Sequence, residues 1–422
     1  MNNKTPGQHA IDKFAEMMIS RMEEMKNGTW KKGWIGGKVY GLPQNISGRM
    51  YSYSNALFLN MDTAVKGYTT PIYLTFLQVQ KEEARVKKGE ESMPVIYWDL
   101  SIKTPEGKNI DRKKYEKLSE EDKEKCMVIP FIKAYNVFNL DQTNLKEVNR
   151  DKYDEIVAKF KNPISKDKTG MYENMALDRM FEKQEWVCPI HFSNRVESPH
   201  YRTSTDEIFI PKKEQFNIGR TKNDIYKDGM EFYSTVLHEM AHSTGAENRL
   251  NRNLKNKFNE PQYAKEELVA ELTAANISNV LGFDKRILDN NAAYLDGWIS
   301  VLKENPKFIV SVMADVNKAS DMILREIDKQ KISLGEKPFL DKGIDTQKFK
   351  DISVFKTKNG EYAIRATYDG KDQQSRIIDT AIAESILKLK NGEDKDRLIN
   401  KTLREVYGNF EINKKENNIK IK

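Results

Sequence analysis

His238 and His242 lie four positions apart, with Glu239 directly after the first of them. On an α-helix, residues four apart share a face, so this spacing requires a helix that turns two imidazoles toward one point. The neighbours support a helix. Phe232, Val236 and Met240 recur at intervals of four, as do Tyr233 and Leu237, which suits one buried side. Gly245 stands where a C-capping glycine belongs. The pattern His238-Glu239-Met240-Ala241-His242 is that of a zinc peptidase, in which the two histidines are ligands and the glutamate is not. Glu239 is then the base that takes a proton from the attacking water, whose pKa a bound zinc lowers to about 7, and hands it to the leaving amine.

Such a site needs a third protein ligand. The run Lys265-Glu266-Glu267-Leu268-Val269-Ala270-Glu271 falls on the next predicted helix, with Glu267 and Glu271 one turn apart on a common face. Glu267 is assigned as the ligand and Glu271 as the group that orients a histidine. Glu271 as the ligand is the alternative, while Glu266 points about a quarter-turn away. The expected metal is Zn2+. Another divalent ion such as Mn2+ stays open, since affinity alone does not select the metal in a cell. The remaining histidines, His9, His191 and His200, read as surface or core residues, and Tyr201 and Tyr233 as packing residues before oxyanion partners.

The chain has 422 residues, enough for two or three domains, with 38% apolar and 32% charged residues. No apolar run is long enough to span a membrane, the N-terminus lacks a secretory pattern, and only Cys126 and Cys188 occur, so a cytoplasmic protein is expected. The expected fold class is α+β, in three parts. Residues 1–145 form a mixed α/β domain. It opens with a helix from Gln8 to about Met25, followed by a short helix around Tyr73, Phe76 and Val79. Its predicted strands are Met93–Asp99 and Ile129–Leu140, and a charged surface excursion runs from Ile102 to Glu124. Residues 146–335 form a mainly helical domain. Its predicted strand is Glu207–Ile210, and its helices fall near 229–243, 263–281, 291–302 and 305–327. Residues 336–422 form a small module with a β-hairpin about Asn359-Gly360, a helix from Asp379 to Lys390 and a basic tail.

One stretch of the first domain is compositionally distinct. Acids make up roughly one residue in seven of the whole chain, yet none occurs from Met25 to Met61. Single-stranded nucleic acid is bound by aromatic faces that stack bases and by cations that track phosphates. Trp30, Trp34, Tyr51 and Tyr53 are the stacking candidates. Lys31, Lys32, Arg49, Lys87 and Lys88 are the phosphate candidates, the last two in the turn Val86-Lys87-Lys88-Gly89-Glu90. With a net charge of +7, the chain suits such a partner without requiring it.

The segments Leu237-His238-Glu239-Met240-Ala241-His242-Ser243-Thr244-Gly245, Arg249-Leu250 and Tyr263 to Leu272 together resemble the ArdC-like antirestriction proteins of conjugative plasmids and related mobile elements. So do the strand Asp206-Glu207-Ile208-Phe209-Ile210-Pro211 and the segment Ala292-Ala293-Tyr294-Leu295 with Trp298. The family has a histidine where Asn291 stands. In the first domain the matching elements are Gly28, Trp30, Trp34, Asn45, Gly48-Arg49-Met50-Tyr51 and Asn55. The resemblance spans about Gln8 to Arg325 and leaves out the C-terminal module. It implies an N-terminal single-stranded DNA-binding domain, with Asn55 added to its DNA-binding set, joined to a zincin-like metallopeptidase domain of the gluzincin kind.

Three functions follow as expectations. The first is an antirestriction-type protein that binds single-stranded DNA and carries a peptidase site acting on a host or element protein, so that incoming conjugative DNA is protected. The second is a DNA-coating protein whose metal domain is structural. The third is a regulatory metalloprotease without DNA binding.

Overall fold

Thr5 opens the first helix, its hydroxyl accepting from the Gln8 amide at 3.3 Å while Pro6 supplies a fixed φ in the first turn. The computed structural model describes residues 4–27, 41–111, 114–115, 118–160, 165–254, 261–283, 292–340, 349–357, 359–368, 371–390 and 392–407. Helix α1 (Pro6–Lys26) buries Ala10, Ile11, Phe14, Met18 and Met22 along one stripe. Helix α2 (Tyr53–Lys66) lies beside it, with Phe14 and Phe58 stacked at 4.1 Å between ring centroids. Its last turn closes on Gly67, whose φ of 67° is the left-handed conformation that a glycine adopts without strain.

Strands β1 (Tyr73–Thr75), β2 (Met93–Lys103), β3 (Asn109–Ile110) and β4 (Met127–Asn139) form an antiparallel sheet in the order β1-β4-β2-β3. The long β2–β4 pair runs in unbroken register from Met93↔Val137 to Lys103↔Met127. Two local expectations are corrected. Tyr73 belongs to β1, because the short helix α3 (Phe76–Lys81) begins only after Thr75, which caps it reciprocally with Gln78. Ile102 is buried at the end of β2 and faces Ile110 across the β2–β3 pair, so the charged excursion begins after it.

Asn55 is a third correction. Its side chain is fully buried, its Nδ2 donates to the Ile96 carbonyl at 2.9 Å, and its Oδ1 accepts from the Ile96 amide at 2.9 Å. The amide thus satisfies both main-chain groups of Ile96 where no neighbouring strand does, and it has no surface with which to touch DNA.

The chain continues through helices α4 (Glu120–Glu124), α5 (Leu145–Val148), α6 (Arg150–Ala158) and α7 (Met175–Glu182). Strands β5 (Ile190–Phe192), β6 (His200–Arg202) and β7 (Glu207–Ile210) form a second sheet in the order β5-β7-β6. Helix α8 (Lys222–Ser243) starts about two turns earlier than the apolar pattern suggests, because Thr221 and Asp224 form a capping box. Gly229 in α8 packs directly on the main chain of Tyr172, where a Cβ would sit 2.3 Å from the Tyr172 nitrogen. Helices α9 (Pro261–Val280), α10 (Ala292–Glu304) and α11 (Phe308–Ser333) follow.

The cores do not divide where composition divides the chain. One apolar cluster joins Phe14, Met18, Leu57 and Phe58 from the N-terminal end to Leu268, Leu272, Trp298, Val312 and Val316 from the helical part. Accordingly one compact unit comprises Met1–Tyr172 and His191–Ser320, and a second comprises Glu173–Ile190 and Asp321–Lys422. In the second unit, β8 (Phe349–Lys356) and β9 (Tyr362–Tyr368) form the antiparallel pair that the Asn-Gly turn predicts. The short strands β10 (Lys371–Asp372) and β11 (Arg376–Ile377) also pair with β9. Helices α12 (Thr380–Lys388) and α13 (Glu393–Tyr407) belong to the same unit, whose core contains Phe349, Ile364, Ala383, Leu403 and Tyr407. The predicted tail from Lys414 lies outside the described residues. Among the described residues no helix is long and apolar enough to cross a membrane.

Replacing Asn55 by alanine leaves two buried main-chain groups of β2 unpaired. The variant is expected to lose about 2–4 kcal/mol of stability, read as a lowered urea midpoint.

Candidate metal centre

His238 and His242 project from the last turns of α8, and Glu267 from α9, which packs against it. Among the described residues these three form the one group of histidines and acids arranged to hold a metal ion. The two Nε2 atoms are 3.1 Å apart, and the Glu267 carboxylate oxygens lie 3.7 Å from His238 Nε2 and 3.6 Å from His242 Nε2. Donors at about 2.0–2.2 Å from a tetrahedral ion stand about 3.3–3.6 Å from one another, so the set matches the first coordination shell of zinc or a similar cation. All three side chains are largely buried.

The opposite ring nitrogens explain the orientation. His238 Nδ1 lies 3.2 Å from Glu271 Oε1, and His242 Nδ1 lies 3.1 Å from Glu266 Oε1. A carboxylate at Nδ1 holds the proton there and leaves the Nε2 lone pair bare. With a carboxylate beside each Nδ1, the two Nε2 atoms, 3.1 Å apart, are the ring nitrogens left to face a cation. Glu271 is fully buried, one turn beyond Glu267 on α9.

Glu266 has a role that helix geometry alone did not reveal. Arg252 grips it with two hydrogen bonds, Nε to Oε2 and Nη2 to Oε1, both 2.8 Å. The same guanidinium donates to Thr244 Oγ1 at 2.9 Å and to the Ala241 carbonyl at 2.8 Å, capping the end of α8. Burial pushes the Glu266 carboxyl up, but Arg252 and His242 outweigh it and hold it below the usual glutamate value. Gly245 makes this possible by being small. Its φ is not left-handed, and a Cβ there would lie 2.9 Å from Arg252 Nη2. The C-cap expectation is corrected accordingly: the glycine leaves room for an arginine.

A second clamp holds the sheet to the same helix end. Arg249 Nε donates to the Ser243 carbonyl at 2.7 Å, and Nη1 donates to Asp206 Oδ2 at 3.0 Å. The Tyr201 hydroxyl also donates to Asp206, at 2.7 Å. The Arg249 hydrogen bond holds the Asp206 carboxyl below its usual value. Tyr201 is thereby committed to the clamp, and Tyr233 is fully buried. Glu239 is buried in α8 next to His238. His191 and His200 each stack on Phe209, and His9 is exposed on α1, so none of the three joins the metal group.

Of the nucleic-acid candidates, Trp30, Lys31, Lys32 and Trp34 lie outside the described residues, as does Asn291. Arg49, Lys87 and Lys88 are exposed, and Lys87 Nζ donates to the Asp141 carbonyl at 3.0 Å. Tyr53 is half-buried at the start of α2. Tyr51 is nearly buried, and its hydroxyl donates to the Tyr73 carbonyl at 2.9 Å, which leaves little of its ring for a base.

Two histidines and a glutamate on adjacent helices, arranged so that they could hold one metal ion, fit a zincin-like domain. The family described as zincin-like metallopeptidase matches residues 177–315, and the N-terminal domain of the anti-restriction factor ArdC matches residues 8–138. The chain is therefore ArdC-like, an ArdC-type N-terminal domain followed by a zincin-like domain. It is 29% identical over 336 residues to a DNA primase TraC of Escherichia coli, a match covering 78% of this chain and 21% of the primase. A second DNA primase TraC of that species is 28% identical over 328 residues, covering 75% of this chain and 27% of the primase. The chain thus spans only about a quarter of the length of these relatives. An uncharacterized protein, y4eC, of Sinorhizobium fredii (strain NBRC 101917 / NGR234) is 26% identical over 300 residues, covering 70% of this chain and 85% of that protein. Among solved structures, the metal-free antirestriction ArdC protein from the R388 plasmid superposes with a TM-score of 0.53 at 22% identity, over 75% of this chain and 98% of that one. Its Mn(II)-bound form gives a TM-score of 0.51 at 23% identity, over 74% and 97%.

Replacing Arg252 by methionine releases Glu266 and with it the orientation of His242. Metal affinity, measured by competition with a chelator, is expected to fall about 10- to 100-fold.

Proposed function

We propose that this chain is an antirestriction-type protein of a mobile element, which binds single-stranded DNA with its N-terminal domain and hydrolyses peptide bonds at a zinc site in its second. The observation that carries the peptidase half is the convergence of His238 Nε2, His242 Nε2 and the Glu267 carboxylate to within 4.8 Å of one another. These three residues are the proposed ligands. When bound, the metal polarises the scissile carbonyl and acidifies the attacking water. The chain's own residues do the rest. Glu271 and Glu266 keep the two imidazoles in the tautomer that presents Nε2. Glu239 takes the proton from the water and passes it to the leaving amine, which prevents the bond from re-forming. Mn2+ is the second candidate metal, because the R388 ArdC protein is known in an Mn(II)-bound form.

The DNA-binding half is supported by the acid-free stretch from Met25 to Met61 and by the ArdC-type N-terminal domain. A site of action in the cytoplasm agrees with its two cysteines, which form no disulfide. The name of the TraC proteins belongs to chains several times longer, and no priming chemistry is carried over from them.

Glu239→Ala is expected to retain its metal, as measured by elemental analysis, while cleavage of casein falls about 100- to 10,000-fold. If the variant still protects incoming DNA in a conjugation assay, the peptidase is not the protective activity. Affinity for a thymidine oligomer is expected to fall steeply with salt: about four phosphate contacts would cost about 50-fold between 50 and 200 mM. Binding that ignores salt would remove phosphate recognition from the proposal.

A further inference from the structure

We propose that the cleft between the 44–51 loop and the β2–β4 pair is the subsite for one unpaired nucleotide of single-stranded DNA. The base lies against Tyr97 and Tyr135, and Arg49 and Lys133 hold the flanking phosphate. The inference rests on the reading that the N-terminal domain binds single strands, and to Arg49 of the acid-free stretch it adds Tyr97, Lys133 and Tyr135 from outside it.

Strand β4 carries an unusual face. Met127, Ile129, Phe131, Lys133 and Tyr135 alternate along it and share one side. The four apolar members are exposed by 61%, 47%, 37% and 48%. The opposite side, with Ile132 and Ala134, packs on the core. An antiparallel sheet ordinarily turns polar residues toward water, so a water-facing row of this kind marks a surface that binds something.

At one end of the row the surface is concave. The cleft has a volume of about 310 Å³, near the lower limit of small-ligand sites and suited to a single nucleoside-sized group. Tyr97 and Tyr135 meet there edge to face, with centroids 5.6 Å apart at 72°. Register places Lys133 directly across from Tyr97, and its ammonium lies 5.4 Å over the Phe131 ring.

Arg49 enters from the opposite wall on a loop that is already ordered. Asn45 Oδ1 accepts from the Ser47 and Arg49 amides at 3.1 and 2.9 Å, the Asn45 amide donates to the Arg49 carbonyl at 2.8 Å, and Gly48 takes a φ of 79°. Two cations line the cleft, and none of its lining residues is acidic. An apolar peptide would need no such charge, and a basic one would be repelled. An anion with an aromatic ring satisfies both features.

The test uses the full chain and a fluorescein-labelled thymidine oligomer, with metal content as the check that each variant is folded. Tyr135→Ala is expected to weaken binding about 5- to 100-fold while leaving its salt dependence unchanged. Arg49→Gln combined with Lys133→Gln is expected to lower the slope of log K against log salt by about 1.4. An oligomer of abasic sites is expected to bind the wild-type chain and Tyr135→Ala equally. If the wild-type chain binds the oligomer and these variants bind it as well as wild type does, the subsite is overturned and the single-strand reading stands. If the wild-type chain does not bind, both fail. If Tyr135→Ala changes only self-association in sedimentation, the face is a protein contact and the subsite is again overturned.

Discussion

Two imidazole Nε2 atoms, held 3.1 Å apart in a largely buried position with the Glu267 carboxylate beside both, set the terms for the second half of this molecule. Left to themselves the rings would rotate or share a proton. They are kept facing each other by carboxylates on their far sides, and those carboxylates must in turn be buried or gripped. The consequences extend outward. Helix α9 brings Glu267 beside both Nε2 atoms, and Glu271 and Glu266 beside the two Nδ1 atoms, so its register against α8 matters to all four contacts. Arg252 must reach Glu266, so the chain after α8 must turn back sharply, and Gly245 gives the space for that turn. Arg249 and Asp206 then tie the small sheet to the same helix end.

The polar interactions of the first half are of a different kind. Asn55 completes the hydrogen bonding of β2, and the Tyr73 hydroxyl donates to the Asp62 carboxylate at 2.8 Å inside the core. These residues determine how the sheet sits on α1 and α2. They leave the other side of the sheet uncovered.

The metal helix is legible in the sequence because its signal is local: two histidines at a helical interval, an apolar face and a capping glycine position. Glu267 and Glu271 are legible for the same reason, since one turn separates them. What is lost is whatever depends on chain reversal. Arg252 stands ten residues beyond His242 with no periodic relation to it, and its bond to Glu266 exists only because the loop folds back. Gly245 shows that a correct position can carry a wrong reason, for the glycine spares space and adopts no left-handed turn. Asn55 failed differently. The family resemblance places it in the DNA-binding set, and only the packing of α2 on β2 reveals it as a buried substitute for a neighbouring strand. The face of β4 was present as alternation from Met127 to Tyr135. Alternation says which residues share a side but not whether that side is covered.

The core shared between α1 and the helices near the zincin site has a consequence for biosynthesis. Lys26 and Asp296, like Glu23 and Lys303, are joined across the α1–α10 contact, and the stripe of α1 shares its apolar cluster with Trp298 of α10. On the ribosome α1 emerges some 270 residues ahead of this partner, which at ordinary elongation rates is tens of seconds. Over that interval the α1 stripe packs only on the earlier elements of its cluster, Phe58 of α2 among them, and its cover is completed when α10 emerges.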